Sequence, residues 1–190
     1  MKSFQRNLLL LSLMLGAVCC GTLLVICNTA VPVRRENSAE NAVNYLRLLK
    51  LRLVELVKRG EFAEAEIVFR RIRKSDPRNR IVLRLGSVVY FRNGKFNEAE
   101  NLLRNLLLRT PGDFICRNNY GMVLWAKGRR EAVVELRRAW LDSGKLLFIG
   151  KNFRQCAKHF NINLPDELFA GENKDSLPPP DAVTLAEEKK

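Results

Sequence analysis

Two short stretches, Gly60-Glu-Phe-Ala-Glu-Ala-Glu66 and Gly94-Lys-Phe-Asn-Glu-Ala-Glu100, decide the fold of this chain. They match at five of seven positions and begin 34 residues apart. The same interval separates Gly94 from Gly128 and Pro77 from Pro111. A fixed period of this length predicts a structural unit that recurs along the chain and packs mainly against its neighbours.

Each recurring residue has a physical role in a helix–turn–helix unit. The glycine ends the first helix, because a left-handed conformation there costs glycine little. The Glu-Ala-Glu segment opens the second helix, with acids near the positive end of the helix dipole. Its small alanine lies where the two helices of a unit are expected to approach closely. Pro77 and Pro111 then end the second helix, since proline cannot continue its hydrogen bonding.

This pattern resembles the tetratricopeptide-repeat (TPR) family, whose helix–turn–helix units have this length. The resemblance covers about residues 46–145 and implies an all-α solenoid of about three TPR-like repeats. Leu83 and Ser87 fill the apolar and small positions of the second unit. The third unit departs from the pattern, with Arg117 at an apolar position and Arg130 in place of the turn aromatic.

The repeats are flanked by further predicted helix. Asn37 with Glu40 is a capping box that predicts an early start for the first helix. After the third unit, Ile149, Phe153 and Cys156 recur at helical spacing and predict a C-terminal capping helix, which a solenoid needs at its exposed end. We therefore assign residues 37–170 to the helical domain.

The last 20 residues, 171–190, are polar and acidic and include Pro178-Pro179-Pro180. Such a composition buries little apolar surface, so it predicts a disordered tail.

Residues 1–36 form the N-terminal segment, whose stretch 8–27 has 20 consecutive residues without a charge. As a helix this stretch would span about 30 Å, the hydrocarbon thickness of a bilayer. Lys2 and Arg6 precede it, as in a signal peptide or a signal anchor. Cleavage and lipoprotein processing remain alternatives, but neither cleavage pattern is well matched. We expect an uncleaved single-pass transmembrane helix, with the helical domain on the non-cytoplasmic side.

The sequence offers little for catalysis or metal binding. His159 is the one histidine, and it lies three residues after Cys156. Two ligands do not complete a zinc site, and no phosphate-binding loop or dinucleotide fingerprint is present. We predict that the chain is not an enzyme and uses no metal or cofactor. Cys116 and Cys156 are expected to be buried thiols, and a bridge between them is left open.

The net charge of +13 is concentrated in residues 41–160, which hold 26 Lys and Arg against 11 Asp and Glu, a balance of +15. The basic side chains of the first two units are the predicted partner-binding residues: Arg70, Arg71, Arg73, Lys74, Arg78 and Arg84. A solvated face, an acidic protein partner and anionic lipid headgroups are the alternatives. Nucleic acid is disfavoured, because no motif that reads it is present.

Some TPR domains hold a partner's terminal carboxylate with Lys and Asn side chains. In this chain Lys50 fills the first such position, but Val54, Leu85 and Ile115 replace the others and Asn119 replaces an arginine. A carboxylate clamp is therefore not expected. The resemblance implies a protein–protein interaction module or scaffold. The N-terminal stretch would tether it to a membrane, and the basic surface of the repeats would bind the partner protein. The alternative is an exported, soluble binding or chaperone-like protein, released by signal cleavage.

Overall fold

The computed structural model describes residues 33–173 and 177–184, with side chains from Ser38 onward. Seven α-helices follow one another in these residues: α1 Val33–Arg59, α2 Phe62–Ser75, α3 Arg80–Arg92, α4 Phe96–Arg109, α5 Phe114–Ala126, α6 Glu131–Asp142 and α7 Leu147–His159. A short 3-10 helix, Asp166–Phe169, comes after α7. The all-α solenoid predicted from the repeat is confirmed.

The chain divides into two compact units between Arg47 and Leu48. Of the first unit, the structure describes the N-terminal part of α1, whose side chains 38–45 are exposed. α1 begins at Val33, so Asn37 lies inside the helix and does not cap it. The predicted start was therefore four residues too late. Pro32 directly precedes Val33 in the sequence, and proline favours helix starts because its fixed φ suits the first turn.

In the second compact unit, which begins at Leu48, each helix packs against the next from α2 to α7. The three helices α3, α5 and α7 also contact one another in succession, so they form an inner layer. The turn glycines Gly60, Gly94 and Gly128 have φ values of 76°, 73° and 71°. These left-handed conformations confirm the role predicted for glycine at the end of each first helix.

Small residues allow neighbouring helices to pack closely, both within a repeat and between successive repeats. Ala65, Ala99 and Ala132 are fully buried, as predicted for the alanine that recurs in each repeat. Gly86 allows an even closer approach, because a Cβ there would lie 2.2 Å from the ring of Phe69. Close packing at these points leaves no room for a larger side chain.

Acidic side chains of the second helices join successive repeats. Glu66 on α2 accepts hydrogen bonds from Lys95 at 2.6 Å and from Asn93 at 2.7 Å, both in or next to the α3–α4 turn. Burial opposes the ionisation of Glu66, but these bonds outweigh it and lower the pKa of the carboxyl. One repeat later, Glu100 accepts from Lys127 at 2.5 Å and from Arg129 at 3.0 Å. We call these contacts the inter-repeat ion pairs.

The C-terminal end of the solenoid is covered as predicted by α7, whose Ile149, Phe153 and Cys156 are fully buried. The segment after α7 packs back onto it. Phe169 lies 5.0 Å from Trp140, measured between ring centroids, and the buried carboxylate of Glu172 pairs with Arg154 on α7.

The backbone of this segment is also fixed. The N–H of Asn173 donates to the carbonyl of Lys145 at 3.0 Å, and the N–H of Leu147 donates to the carbonyl of Asn173 at 3.1 Å. Residues 166–173 are thereby attached to the start and the side of α7.

Two predictions concern the ends of the chain. None of the helices in residues 33–173 and 177–184 is long and apolar enough to cross a bilayer. The predicted anchor, residues 8–27, lies outside the described residues, as do 174–176 and 185–190 of the predicted disordered tail. Residues 177–184 differ from that expectation, because they lie in a groove of the solenoid with Asp181, Ala182 and Val183 buried.

Candidate functional site

The inner layer of helices holds a segment of the chain itself, which turns at Pro180 and Asp181, where the N–H of Ala182 donates to the carbonyl of Pro179 at 3.0 Å. Residues 177–184 contain no helix or strand, and they contact side chains of α3, α5 and α7. Val183 is fully buried and Asp181 is only 4% exposed. We call the surface that contacts this segment the inner groove. It is formed by polar side chains from three successive units, so its geometry depends on the repeat.

Asn119 on α5 binds the backbone of the segment with both ends of its side-chain amide. Its Nδ2 donates to the carbonyl of Asp181 at 2.6 Å. Its Oδ1 accepts from the N–H of Val183 at 2.7 Å. The two bonds enclose Ala182 and satisfy both amide groups at once, which aligns the segment without reading its side chains.

Two further buried asparagines meet at the next backbone carbonyl. The Nδ2 atoms of Asn118 on α5 and Asn152 on α7 both donate to the carbonyl of Val183, at 2.9 Å and 3.0 Å. Asn152 also donates to Oδ1 of Asn118 at 2.8 Å. A buried amide left without a partner costs about 1–3 kcal/mol, so this network favours an occupied groove.

A cation next to the asparagines binds the one acidic side chain of the segment. Arg84 on α3 is 15% exposed, and its Nη2 lies 2.6 Å from Oδ2 of Asp181. Its Nη1 donates to both carboxylate oxygens of Asp113 at 3.1 Å. Asp113 in turn caps α5 by accepting from the N–H of Cys116 at 3.0 Å. The position of Arg84 is thus set by a helix cap of the next repeat, which leaves its second nitrogen free to face an acid.

The proline-rich part of the segment lies beside an apolar part of the groove. Pro178, Pro179 and Pro180 line a small cavity with side chains from α1, α2 and α3, namely Val57, Lys58, Phe62, Val88 and Arg92. Arg92 also donates to the carbonyl of Thr184 at 3.1 Å. Consecutive prolines favour an extended polyproline conformation, which lowers the entropy lost when such a segment is held.

The six basic residues predicted to bind a partner do not form one surface. Arg84 lies in the inner groove, and Arg70 pairs with Glu66 of the inter-repeat ion pairs. The remaining four are exposed at the end of α2 and in the turn that follows: Arg71, Arg73, Lys74 and Arg78.

The groove asparagines were not predicted as site residues. The sequence did carry a signal, since Asn118 and Asn119 are adjacent polar residues in a helix whose other buried positions, apart from Arg117, are not polar. In the sequence, Asn119 differs from the carboxylate-clamp pattern, but that difference does not predict a contact with the backbone of another segment. Lys50, the one clamp residue retained, pairs with Asp76 at 2.7 Å.

The described residues place no metal site around the histidine. His159 is exposed at the end of α7 and contacts the rings of Trp125 and Phe160, whereas Cys156 is buried. No group of three or more His, Cys, Asp or Glu in residues 33–173 and 177–184 could hold an ion. Cys116 and Cys156 are free thiols, as expected, and burial raises the pKa of each to about 12.

Helix–turn–helix repeats that pack one after another define the class of α-solenoids. The TPR domain of Sgt2 from Aspergillus fumigatus shares this architecture, with a TM-score of 0.56 over 70% of this chain and 89% of that domain. The two are 13% identical, which shows the fold alone. This protein therefore has a TPR-like fold. No protein-family model and no curated protein matches the chain.

Proposed function

We propose that this protein is a protein–protein interaction module that holds a short segment of its partner in the inner groove and performs no chemistry of its own. One observation carries the proposal: Asn119 satisfies both the C=O of Asp181 and the N–H of Val183, at 2.6 Å and 2.7 Å, where the segment turns in the groove. Paired bonds of this kind suit a polypeptide ligand and would serve little purpose toward a small molecule.

The module would be tethered to a membrane through residues 8–27, with the groove on the non-cytoplasmic side. The uncharged length of that stretch supports this part of the proposal. The exposed cations Arg71, Arg73, Lys74 and Arg78 would form an accessory face that attracts an acidic partner. In this arrangement the groove supplies the specific contacts and the basic face raises the rate of encounter.

The test compares two asparagine variants of the full chain, purified from detergent-solubilised membranes. Asn119→Ala removes the paired backbone contact, while Asn105→Ala changes an exposed asparagine on α4. We expect Asn105→Ala to recover the same proteins as the wild type. Asn119→Ala should recover less of the protein whose backbone Asn119 binds, because lost buried hydrogen bonds cost about 1–3 kcal/mol. Equal recovery of every protein with all three chains would refute a groove-dependent function.

A further inference from the structure

The segment in the inner groove is part of the chain, so the groove is already occupied. We propose that residues 177–184 are an internal ligand, and that a partner must displace them with a segment of the same chemistry. That chemistry is an acidic residue, a small residue and a β-branched residue in succession, with the acidic residue in a turn that the N–H of Ala182 closes on the carbonyl of Pro179 at 3.0 Å. This inference rests on the proposed function and adds the sequence that the groove selects and the competition that controls access.

The selectivity follows from which contacts reach side chains. The bonds that Asn118, Asn119 and Asn152 make to the segment all end on backbone atoms, so they do not depend on its side chains. The first selective contact is the 2.6 Å ion pair from Arg84 to Asp181. A neutral or basic residue there would leave a largely buried guanidinium facing no second anion.

The next two positions select by size. Ala182 is 8% exposed and lies between the two backbone groups that Asn119 binds. Val183 is fully buried next to the carbonyl where Asn118 and Asn152 meet. A bulky residue at the first position or a charged residue at the second would not fit this enclosure.

The internal segment has the properties of a ligand that can leave. Its buried apolar side chains are small, those of Ala182 and Val183, and Leu177 at its start is 90% exposed. The large core residues, such as Trp140, Phe69 and Phe153, belong to the helices. Segments with few buried apolar contacts open locally at lower free energy than the packed core around them.

The segment is also tethered close to the groove. Glu172 and Asn173 are fixed to α7, and only residues 174–176 separate them from the described part of the segment. A short tether gives an effective concentration on the order of 1 mM. An external peptide that binds the open groove with a Kd of about 100 µM would then bind the closed protein about tenfold more weakly.

The experiment uses the full chain in detergent and a fluorescein-labelled peptide that copies residues 176–185, with binding followed by anisotropy. The receptor with an open groove carries Asp181→Lys and Val183→Lys, which remove the ion pair and place a charge in the buried position. We expect this variant to bind the peptide at least tenfold more tightly than the wild type. A peptide with Asp181→Lys should lose at least tenfold in affinity, whereas one with Leu177→Ala should bind unchanged.

Several results would overturn the inference. Equal peptide affinity for the wild type and the open variant would mean that the tail does not compete. An open variant that keeps its helical circular dichroism but binds no peptide would mean that the groove is not a site for this sequence. If the open variant unfolds, a chain ending at Asn173 is the second receptor. Unfolding of both would make the segment an integral part of the core and refute a displaceable ligand.

Two further outcomes separate this inference from others. If the full chain dimerises and the chain ending at Asn173 does not, the tails are exchanged between two copies. That result would overturn binding of the tail to the groove of its own chain. If the peptide fails to bind but partner recovery still depends on Asn119, the proposed function stands and the internal-ligand inference falls.

Discussion

A buried side-chain amide is stable in a protein only where both its donor and its acceptor find partners. Asn119 meets this condition through two backbone groups of a segment 62 and 64 residues further along the chain. Arg117, on the same helix, is buried too, but its partners are Glu135 and the carbonyl of Pro111. The two polar residues therefore have different roles. Arg117 connects α5 to α6 within the solenoid, and Asn119 binds the segment in the inner groove.

At the same scale, Gly86 is expected to be the least replaceable small residue on α3. Gly86→Ala would place a Cβ 2.2 Å from the Phe69 ring, so the ring or the helix must shift. Overpacking of this kind costs about 1–3 kcal/mol, which corresponds to a melting temperature lowered by roughly 2–12 °C for a chain of this size. Thermal unfolding followed by circular dichroism measures the effect.

The matched control is Gly112→Ala, because a Cβ at Gly112 meets nothing within 4 Å. That variant should melt within about 2 °C of the wild type, since changes without a packing or conformational conflict are nearly neutral. If the two alanine variants melt alike, the close approach of α3 to Phe69 is wrong.

At the scale of the helices, the repeat period was sufficient to predict the turns. Gly94 and Gly128 end helices as predicted, because left-handed glycine is a local requirement that the sequence shows directly. The groove could not be predicted in this way. Asn119 and Asp181 are far apart in the sequence, and their pairing depends on how successive helices stack. Composition is an average over the whole tail, so it predicts disorder and gives no sign of the three residues, Asp181 to Val183, that are buried in the groove.

The inter-repeat ion pairs join one helix pair to the next, and they predict that the stability of the fold depends on pH. The hydrogen bond from Lys127, opposed by burial and aided by the charges of Lys127 and Arg129, lowers the pKa of Glu100 below its ordinary value. A lowered folded-state pKa stabilises the fold above the unfolded-state pKa, and this contribution is lost as the pH falls through the folded-state pKa. Glu100→Gln should therefore melt lower than the wild type at pH 7, and the difference should shrink as the pH drops below about 4.5.

Glu98→Gln is the control for this prediction, because Glu98 is an exposed acid in the first turn of the same helix. It should change the melting temperature little at any pH, as surface substitutions usually do. A difference between Glu100→Gln and the wild type that stays constant from pH 7 to pH 3 would show that the ionised carboxylate contributes nothing.

At the scale of the whole molecule, the N-terminal segment decides where the groove is presented. We expect the mature protein to retain residues 8–27, because the uncharged stretch is longer than the ~7–15 residues of a signal-peptide core and its cleavage pattern is poor. Intact-mass spectrometry of protein extracted from membranes with detergent should show this segment present. A mature chain that begins near Val31 would instead favour the exported, soluble alternative.

The excess of basic residues is distributed over the whole molecule, and the structure divides the predicted partner-binding cations into a buried and an exposed group. Arg84 is committed to the groove, where it binds Asp181, whereas Arg71, Arg73 and Arg78 are exposed to solvent. Exposed cations act mainly on encounter rates and are screened over about 8 Å at physiological salt. Reversing these three charges to Glu should therefore slow association with an acidic partner at low salt, and the effect should fade at higher salt.

The measurement is the association rate of a partner recovered through the groove, at about 50 mM and about 300 mM salt, which bracket the screening regime. Reversal of Arg137, Arg138 and Lys151, exposed on α6 and α7, is the control that makes the same change in net charge elsewhere. We expect the first set to slow association several-fold more than the second at low salt, with dissociation rates unchanged, because the groove holds the bound segment. If both sets of reversals slow association equally, the effect comes from net charge alone. Arg71, Arg73 and Arg78 would then be ordinary solvated surface residues.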